Sequence, residues 1–317
     1  MNIHPLLQRL RAPFATRPIE NLANAIVSTI EAEYRGIVVH GMARFGKSWA
    51  VKYLVNNPVW MNSSFYTTAV IVPKSHKRTE GAFYSLWLER FSMSLPERST
   101  PLDRLCRLRN YLINKCNENK SDLAVIFMDE AQRLFPEDYE HLATLDNEMT
   151  DRGYMLVVVL VVQSDFSGSA METIYEGDPP PHIRKRFLIR RHEFSGLNGV
   201  EEVDHALKRM DQNTEWPAKS NITYSQYFAE NAYLAGWRFR GHASQLFDLA
   251  NELRKEHHLP KEWTWPMKSF EVCINYLLTN IARNRPNFDG FSDADIVAAL
   301  DVSGFIELEM SRGLGDC

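Results

Sequence analysis

Cysteine is scarce and scattered. Cys106, Cys116, Cys273 and Cys317 are the only four in 317 residues, with no C-x-x-C spacing and no clustered histidine partner. That argues against a disulfide framework or a structural zinc site and predicts reduced thiols. Charge of one sign is also missing. The net charge is −4 at pH 7, so no global basic field attracts polyanions, and any nucleic-acid contact has to come from a local patch. Long apolar runs are absent too. The longest, Met155 to Val162, is far short of the twenty or so residues that cross a bilayer. The N-terminus has no apolar core segment of the secretory kind, so a cytoplasmic protein without membrane contact is expected. There are no internal repeats and no low-complexity tracts.

What is present is concentrated in one stretch, Ile37 to Leu54. Ile37, Val38 and Val39 predict a short buried strand. Gly41-Met42-Ala43-Arg44-Phe45-Gly46-Lys47-Ser48 then matches G-x-x-x-x-G-K-[ST], and Trp49 to Leu54 continue as a helix. Strand, glycine-bearing loop and helix together predict a phosphate cradle, since loop amides and the positive helix end attract anions. Gly41 and Gly46 allow the tight turn and close approach. Arg44, Phe45 and Trp49 complete the loop and its exit. The amine of Lys47 suits the β and γ phosphates of ATP, and the hydroxyl of Ser48 suits Mg2+.

Before this stretch, residues 1–18 are interrupted by prolines and predict an extended lead-in. Leu22, Ala25, Ile26 and Ile30 then predict an amphipathic helix, with Arg17 and Pro18 ahead of it as candidate walls for an adenine base. After it, Thr67 to Val72 predicts a second strand. Lys74-Ser75-His76-Lys77-Arg78 follows as a compact basic loop. Its residue types fit either a solvated surface loop or contact with a phosphate backbone through Lys74, His76, Lys77 and Arg78. Arg104, Arg107 and Arg109 lie on a helix predicted from Pro101 to Asn117 and read as an exposed face.

Leu123 to Met128 is a continuous apolar run, as a central parallel strand buried on both sides requires. It ends in Asp129-Glu130, where open α/β sheets place their ligands. Asp129 is the candidate Mg2+ ligand and Glu130 the candidate base for an attacking water. Residues 131–152 predict a helix broken at Pro136. Tyr154 to Val162 predicts another buried strand ending at Gln163, which reads as a strand cap or as a group orienting the water. A Gly/Ser segment, three prolines and the basic His182 to Phe187 run lead to a last strand, Leu188 to Phe194. From Gly196 the pattern changes to helices, predicted at 200–210, 224–235, 243–257 and 269–283. The last 28 residues predict a short helix and a loose tail.

In this order the motifs resemble an AAA+ ATPase: an α/β P-loop parallel sheet flanked by helices, with a small C-terminal helical lid. Within that superfamily the GMARFGKS loop, the IFMDEAQRL junction and the short lid are similar to the TnsC/TniB regulators of DNA transposition. The resemblance implies domains at 19–195 for the AAA+ fold and 196–289 for the lid, between the lead-in at 1–18 and a tail at 290–317. It implies Lys47 and Ser48 in the Walker A role, Asp129 and Glu130 in the Walker B role, and Gln163 at sensor 1. Arg186 is the implied arginine finger, with Arg184 second. Arg240 in Trp237-Arg238-Phe239-Arg240-Gly241-His242 is the implied sensor 2, with Arg238 and His242 as rivals because the motif departs from Gly-x-x-Arg. It further implies a homo-oligomeric ring or filament on double-stranded DNA, with the 74–78 loop at the backbone, and ATP hydrolysis timing disassembly. The implied partners are a TnsB-type transposase and a TnsD/TniQ-type target selector. Two other readings share these motifs: a replication initiator or clamp loader, and a signalling NTPase of the STAND type, which usually carries a repeat array not seen here.

Overall fold

The computed structural model describes residues 3–9, 11–94, 98–163 and 174–313. Five strands form one wholly parallel sheet: β1 (Gly36–Gly41), β2 (Tyr66–Ile71), β3 (Leu123–Asp129), β4 (Met155–Gln163) and β5 (Arg190–Glu193). Their order across the sheet is β2-β3-β4-β1-β5. The order follows from composition. The β3 run from Leu123 to Met128 and the β4 run from Leu156 to Val162 are buried throughout, as central strands covered on both faces must be. At the edges, β2 exposes Ile71 and β5 carries Arg190, Arg191 and Glu193, charges that discourage pairing with a further strand.

Helices α1 (Arg17–Glu31), α2 (Lys47–Asn56), α3 (Glu80–Arg90), α4 (Pro101–Glu118) and α5 (Pro136–Thr150) belong to this part of the chain. Local chemistry sets their starts. Thr79 accepts from the Ala82 amide ahead of α3, and Thr100 with Asp103 makes a reciprocal capping box at α4. Pro136, which has no N–H, opens α5, so Ala131–Arg133 form a separate 3-10 turn rather than the start of one long helix. Val38, Trp87, Leu108, Ile126, Leu142 and Phe187 share one buried cluster between sheet and helices. Two of the arginines expected on an exposed α4 face are instead struts. Arg104 donates to the Gly81 carbonyl and the Ser85 hydroxyl, and Arg109 pairs with Glu148 of α5.

The last strand is shorter than the pattern suggests. Phe187 and Leu188 close a turn of π-helix, Arg184–Leu188, and pack into the core before β5 begins at Arg190. A Cβ on Gly36 would stand 2.7 Å from the Phe187 Cα, so only glycine fits there.

By internal contacts the chain divides into two units. One holds Asn21–Ala43 and Lys47–Phe194; the other holds the residues up to Glu20, Arg44–Gly46 and those from Ser195 on. The second unit is helical. Gly199–Gln212, Ala243–Glu256 and Met267–Tyr276 are its longer helices, and the region expected to be one helix at 224–235 is two short ones, Tyr224–Phe228 and Glu230–Leu234. The lead-in is built into this unit rather than free. His4 is buried among the rings of Trp216, Tyr224, Tyr227 and Phe228, its Nδ1 accepting from the Leu6 amide, and burial lowers its pKa to about 4. Arg11 pairs with Glu271. The C-terminal stretch holds two helices, Asp293–Val302 and Phe305–Gly313, with Phe305 fully buried. Among the described residues no helix is long and apolar enough to cross a membrane.

The Gly36 contact gives a direct test of the β1 packing. Gly36→Ala should destabilise the protein by about 1–3 kcal/mol through overpacking, read as a lower urea midpoint at unchanged m-value. An unshifted midpoint would contradict the close approach of Phe187.

Candidate nucleotide site

The register of the sheet assembles the site. Gly41 at the end of β1 lies opposite Gln163 at the end of β4, and Asp129 at the end of β3 lies between Val161 and Ile71. The chain leaves β1 toward the far edge and returns from β4 to the other side of β1, so this carboxyl edge is a topological switch point. A Cβ on Gly41 would come 2.3 Å from the Phe194 carbonyl oxygen. Arg44 takes φ 65° and Gly46 φ 102°. Left-handed residues alternating with right-handed ones curve successive amides into an anion-binding nest, which is what the loop needs. Phe45 is buried, and Gly46 stands so close to Met267 that a Cβ would meet its side chain at 2.8 Å.

Lys47 opens α2 and turns its amine back into the loop, donating to the Gly41 and Met42 carbonyls, the latter at 2.7 Å. Burial pulls its pKa down to about 8, against the upward pull of Asp129 and Glu130. Ser48 is exposed in the first helical turn, and Trp49 is half-buried with its indole N–H unpartnered. Asp129 Oδ1 accepts the Glu130 amide at 3.0 Å. Glu130 itself adopts φ 61° and ψ 35°, a conformation that costs a non-glycine residue about 1–2 kcal/mol and that clusters at functional turns.

The donor set fits a nucleotide with its metal ion. Ser48 and Asp129 offer hard oxygens of the kind Mg2+ takes along with phosphate and water, and no group of three or more His, Cys, Asp or Glu side chains among the described residues forms a protein-only cage. Gln163 ends β4 exposed, its amide donating to the Gln132 side chain at 3.3 Å. The Gly/Ser segment after it lies outside the described residues.

Several candidates are placed elsewhere than expected. His76 is a correction: its ring is nearly buried and bonds Asp138 at 2.7 Å, so it cannot face a DNA backbone. Lys74 and Lys77 are exposed, and Arg78 lies over the Phe135 ring with Glu176 3.6 Å away. Arg186 turns inward onto α5, donating to the Ala143 carbonyl and to Asn147, with Asp146 3.5 Å away. Arg184 is half-exposed and pairs with the more exposed Asp178. Arg240, in the helical unit, is held in a two-pronged pair with Asp204, and Asp211 accepts its backbone amide. Arg17 pairs with Glu20 at the start of α1. Missing from the sequence-based set are Gln132 and Arg133, both bonded to the Glu130 carboxylate. The Glu130/Arg133 spacing of three was the one available signal, but such a pair is informative only once the chain is known to turn there.

A parallel sheet, a nest-forming loop with an inward lysine, and an acidic pair at the end of β3, two strands from β1, define a P-loop α/β domain. Residues 31–168 match the family model of an AAA domain, a stretch that includes the loop, Asp129, Glu130 and Gln163. This part of the chain is similar to an AAA domain, in keeping with its P-loop α/β fold. No curated protein matches the chain.

Lys47 must be protonated to meet phosphate, and phosphate raises its pKa. Nucleotide affinity should therefore fall as pH rises through about 8, with binding accompanied by proton uptake above that pH and little uptake near neutrality. Calorimetry in buffers of different ionisation heat measures this directly. Binding heats independent of buffer at pH 8.5 would count against a buried, partly deprotonated lysine.

Proposed function

We propose that this chain hydrolyses ATP at the P-loop site and uses its nucleotide state to assemble on duplex DNA as a regulator of transposition. The observation that carries the ATPase part is the grouping of the Lys47 amine with Asp129 and Glu130 at one sheet edge, close enough for the two carboxylates to act on the amine's pKa. In that role Lys47 and the loop amides hold the phosphates, and Ser48 and Asp129 hold Mg2+, which when bound offsets phosphate charge. Glu130 takes the proton of the attacking water, and Gln163 orients that water from the end of β4.

Assembly and DNA binding rest on the exposed cations and on the order of the motifs. The exposed Lys74 and Lys77 follow β2 on an otherwise acidic chain and suit a phosphate backbone. The half-exposed Arg184 is better placed than Arg186 to leave its own domain and reach a neighbouring subunit's phosphates, because Arg186 is tied to three groups on α5. Such an arginine is worth about 10³-fold or more in rate and would make nucleotide binding and assembly one event. The motif order and the helical region after the sheet support the transposition reading, with a transposase and a target selector as partners.

Glu130→Gln should retain ATP binding and lower turnover at least about 100-fold; normal turnover would remove Glu130 as base. Negative-stain imaging with duplex DNA and a slowly hydrolysed ATP analogue should show nucleotide-dependent rings or filaments, lost in Lys47→Ala. Lys74→Glu with Lys77→Glu should lower the salt dependence of DNA affinity by roughly two counterions. Monomers under all conditions would end the assembly reading.

A further inference from the structure

The lead-in is fastened within the helical unit at two places. The first is His4, whose ring lies 4.4–5.7 Å, centre to centre, from those of Trp216, Tyr224, Tyr227 and Phe228. The second is Arg11, which pairs with Glu271 on the helix Met267–Tyr276. One turn further along that helix, the Asn275 amide ties the two together. It donates to the Leu6 carbonyl at 3.1 Å and accepts from the Arg11 guanidinium at 2.8 Å. The same helix begins against the phosphate loop. Met267 abuts Gly46, and the Lys268 amide lies 3.4 Å from the Arg44 carbonyl. The Glu271 side chain is only 4% exposed, so removing Arg11 leaves a buried charge facing Lys268 at 4.0 Å.

The fastening at His4 works in one protonation state. Its Nδ1 accepts the Leu6 amide at 3.1 Å, so the ring proton sits on Nε2, which is buried without a hydrogen-bond partner. An imidazolium has no lone pair to offer that amide. It would also bring its charge into a site without a counter-ion. Facing it are the rings of Trp216 and Phe228 and the phenols of Tyr224 and Tyr227. Arg283, just past the π-helical turn Leu277–Ala282, repels a second positive charge. Among the described residues no carboxylate pairs with His4, and the acid on the adjoining helix is held by Arg11. Burial and, after it, Arg283 lower the His4 pKa from 6.5 to about 4. A lowered histidine pKa favours the closed state above about pH 6.5 and withdraws that support as pH falls toward 4.

We propose that His4 is an acid-released latch: on protonation the turn Pro5–Leu7 and Arg11 come off the helical unit, and the helix Met267–Tyr276 loses its brace beside the phosphate loop. His4 is the switch, and Arg11 carries its effect to the helix. The device is independent of the reaction at the loop.

Residue-resolved hydrogen exchange of the full chain at pH 7.5 and pH 5, corrected for the intrinsic rate at each pH, tests it. The Leu6, Leu7 and Gln8 amides, bonded to His4 and Pro5, should lose about 30-fold of their protection at pH 5, the factor set by a pKa of 6.5 when free and about 4 when held. Amides of the Met267–Tyr276 helix should lose protection too, by a smaller factor. His4→Asn keeps an acceptor for the Leu6 amide but takes up no proton, and should hold the same protection at both pH values. His4→Phe, which keeps a ring, should be equally insensitive to pH. Equal protection of the wild type at both pH values overturns the latch, as does a loss that persists in both variants. Loss at Leu6 alone means that the ring turns in place, and overturns release. Loss at Leu6 to Gln8 without a change in the helix keeps the latch and overturns the brace. Should neither variant hold the segment, NMR titration of the wild-type ring decides: a midpoint at or above pH 6.5 overturns the latch.

Discussion

The register of the parallel sheet is the constraint on which the chemistry depends. β3 and β4 are buried on both faces, so they admit no polar side chain until they reach the carboxyl edge. There Asp129 and Gln163 emerge one strand apart, with Gly41 paired to Gln163. A slip of one residue in any of these pairings would turn every side chain of that strand to the opposite face. It would send Asp129 away from the loop and bury it, so the same hydrophobic packing that stabilises the domain also aligns its acids with its lysine.

Arg44 and Glu130 are two of the nine non-glycine residues with positive φ among the described residues. The lysine amine donates to the loop carbonyls of Gly41 and Met42. The cradle is therefore preformed but internally occupied. A phosphate bound there would exchange those carbonyl partners for its own oxygens on a loop whose backbone is already set, which limits the ordering cost that binding must overcome.

The basic residues show how little a cluster in sequence says about a cluster in space. Within Lys74 to Arg78, two lysines face solvent, one histidine is a buried strut and one arginine covers a ring. Arg184 and Arg186, two residues apart, point to different surroundings. Arg240 spends its charge on Asp204, which accepts from it at 2.7 Å. In each case the deciding partner comes from another element. The buried carboxylate is Asp146, whose pKa is raised by that burial, with Arg35 and Arg186 opposing the rise.

The sequence by itself determined what short-range chemistry can determine. The P-loop, the acidic pair and the continuous apolar strands are readable because each depends on neighbours a few residues away: glycines at a tight turn, a helix start, and strands with no polar face. The five strands were legible for the same reason, apart from the shortened β5, where Phe187 and Leu188 look like strand residues but pack from a helical turn. The tertiary structure decided which cations are exposed and which are struts, that His4 and the lead-in pack into the helical unit, and that Arg133 reaches the Val72 carbonyl. Those outcomes depend on contacts such as His76 with Asp138, 62 residues apart, and Arg133 with Val72, 61 apart. No local pattern encodes such contacts, because the energy of an ion pair or a buried ring is set by what the folded chain brings against it.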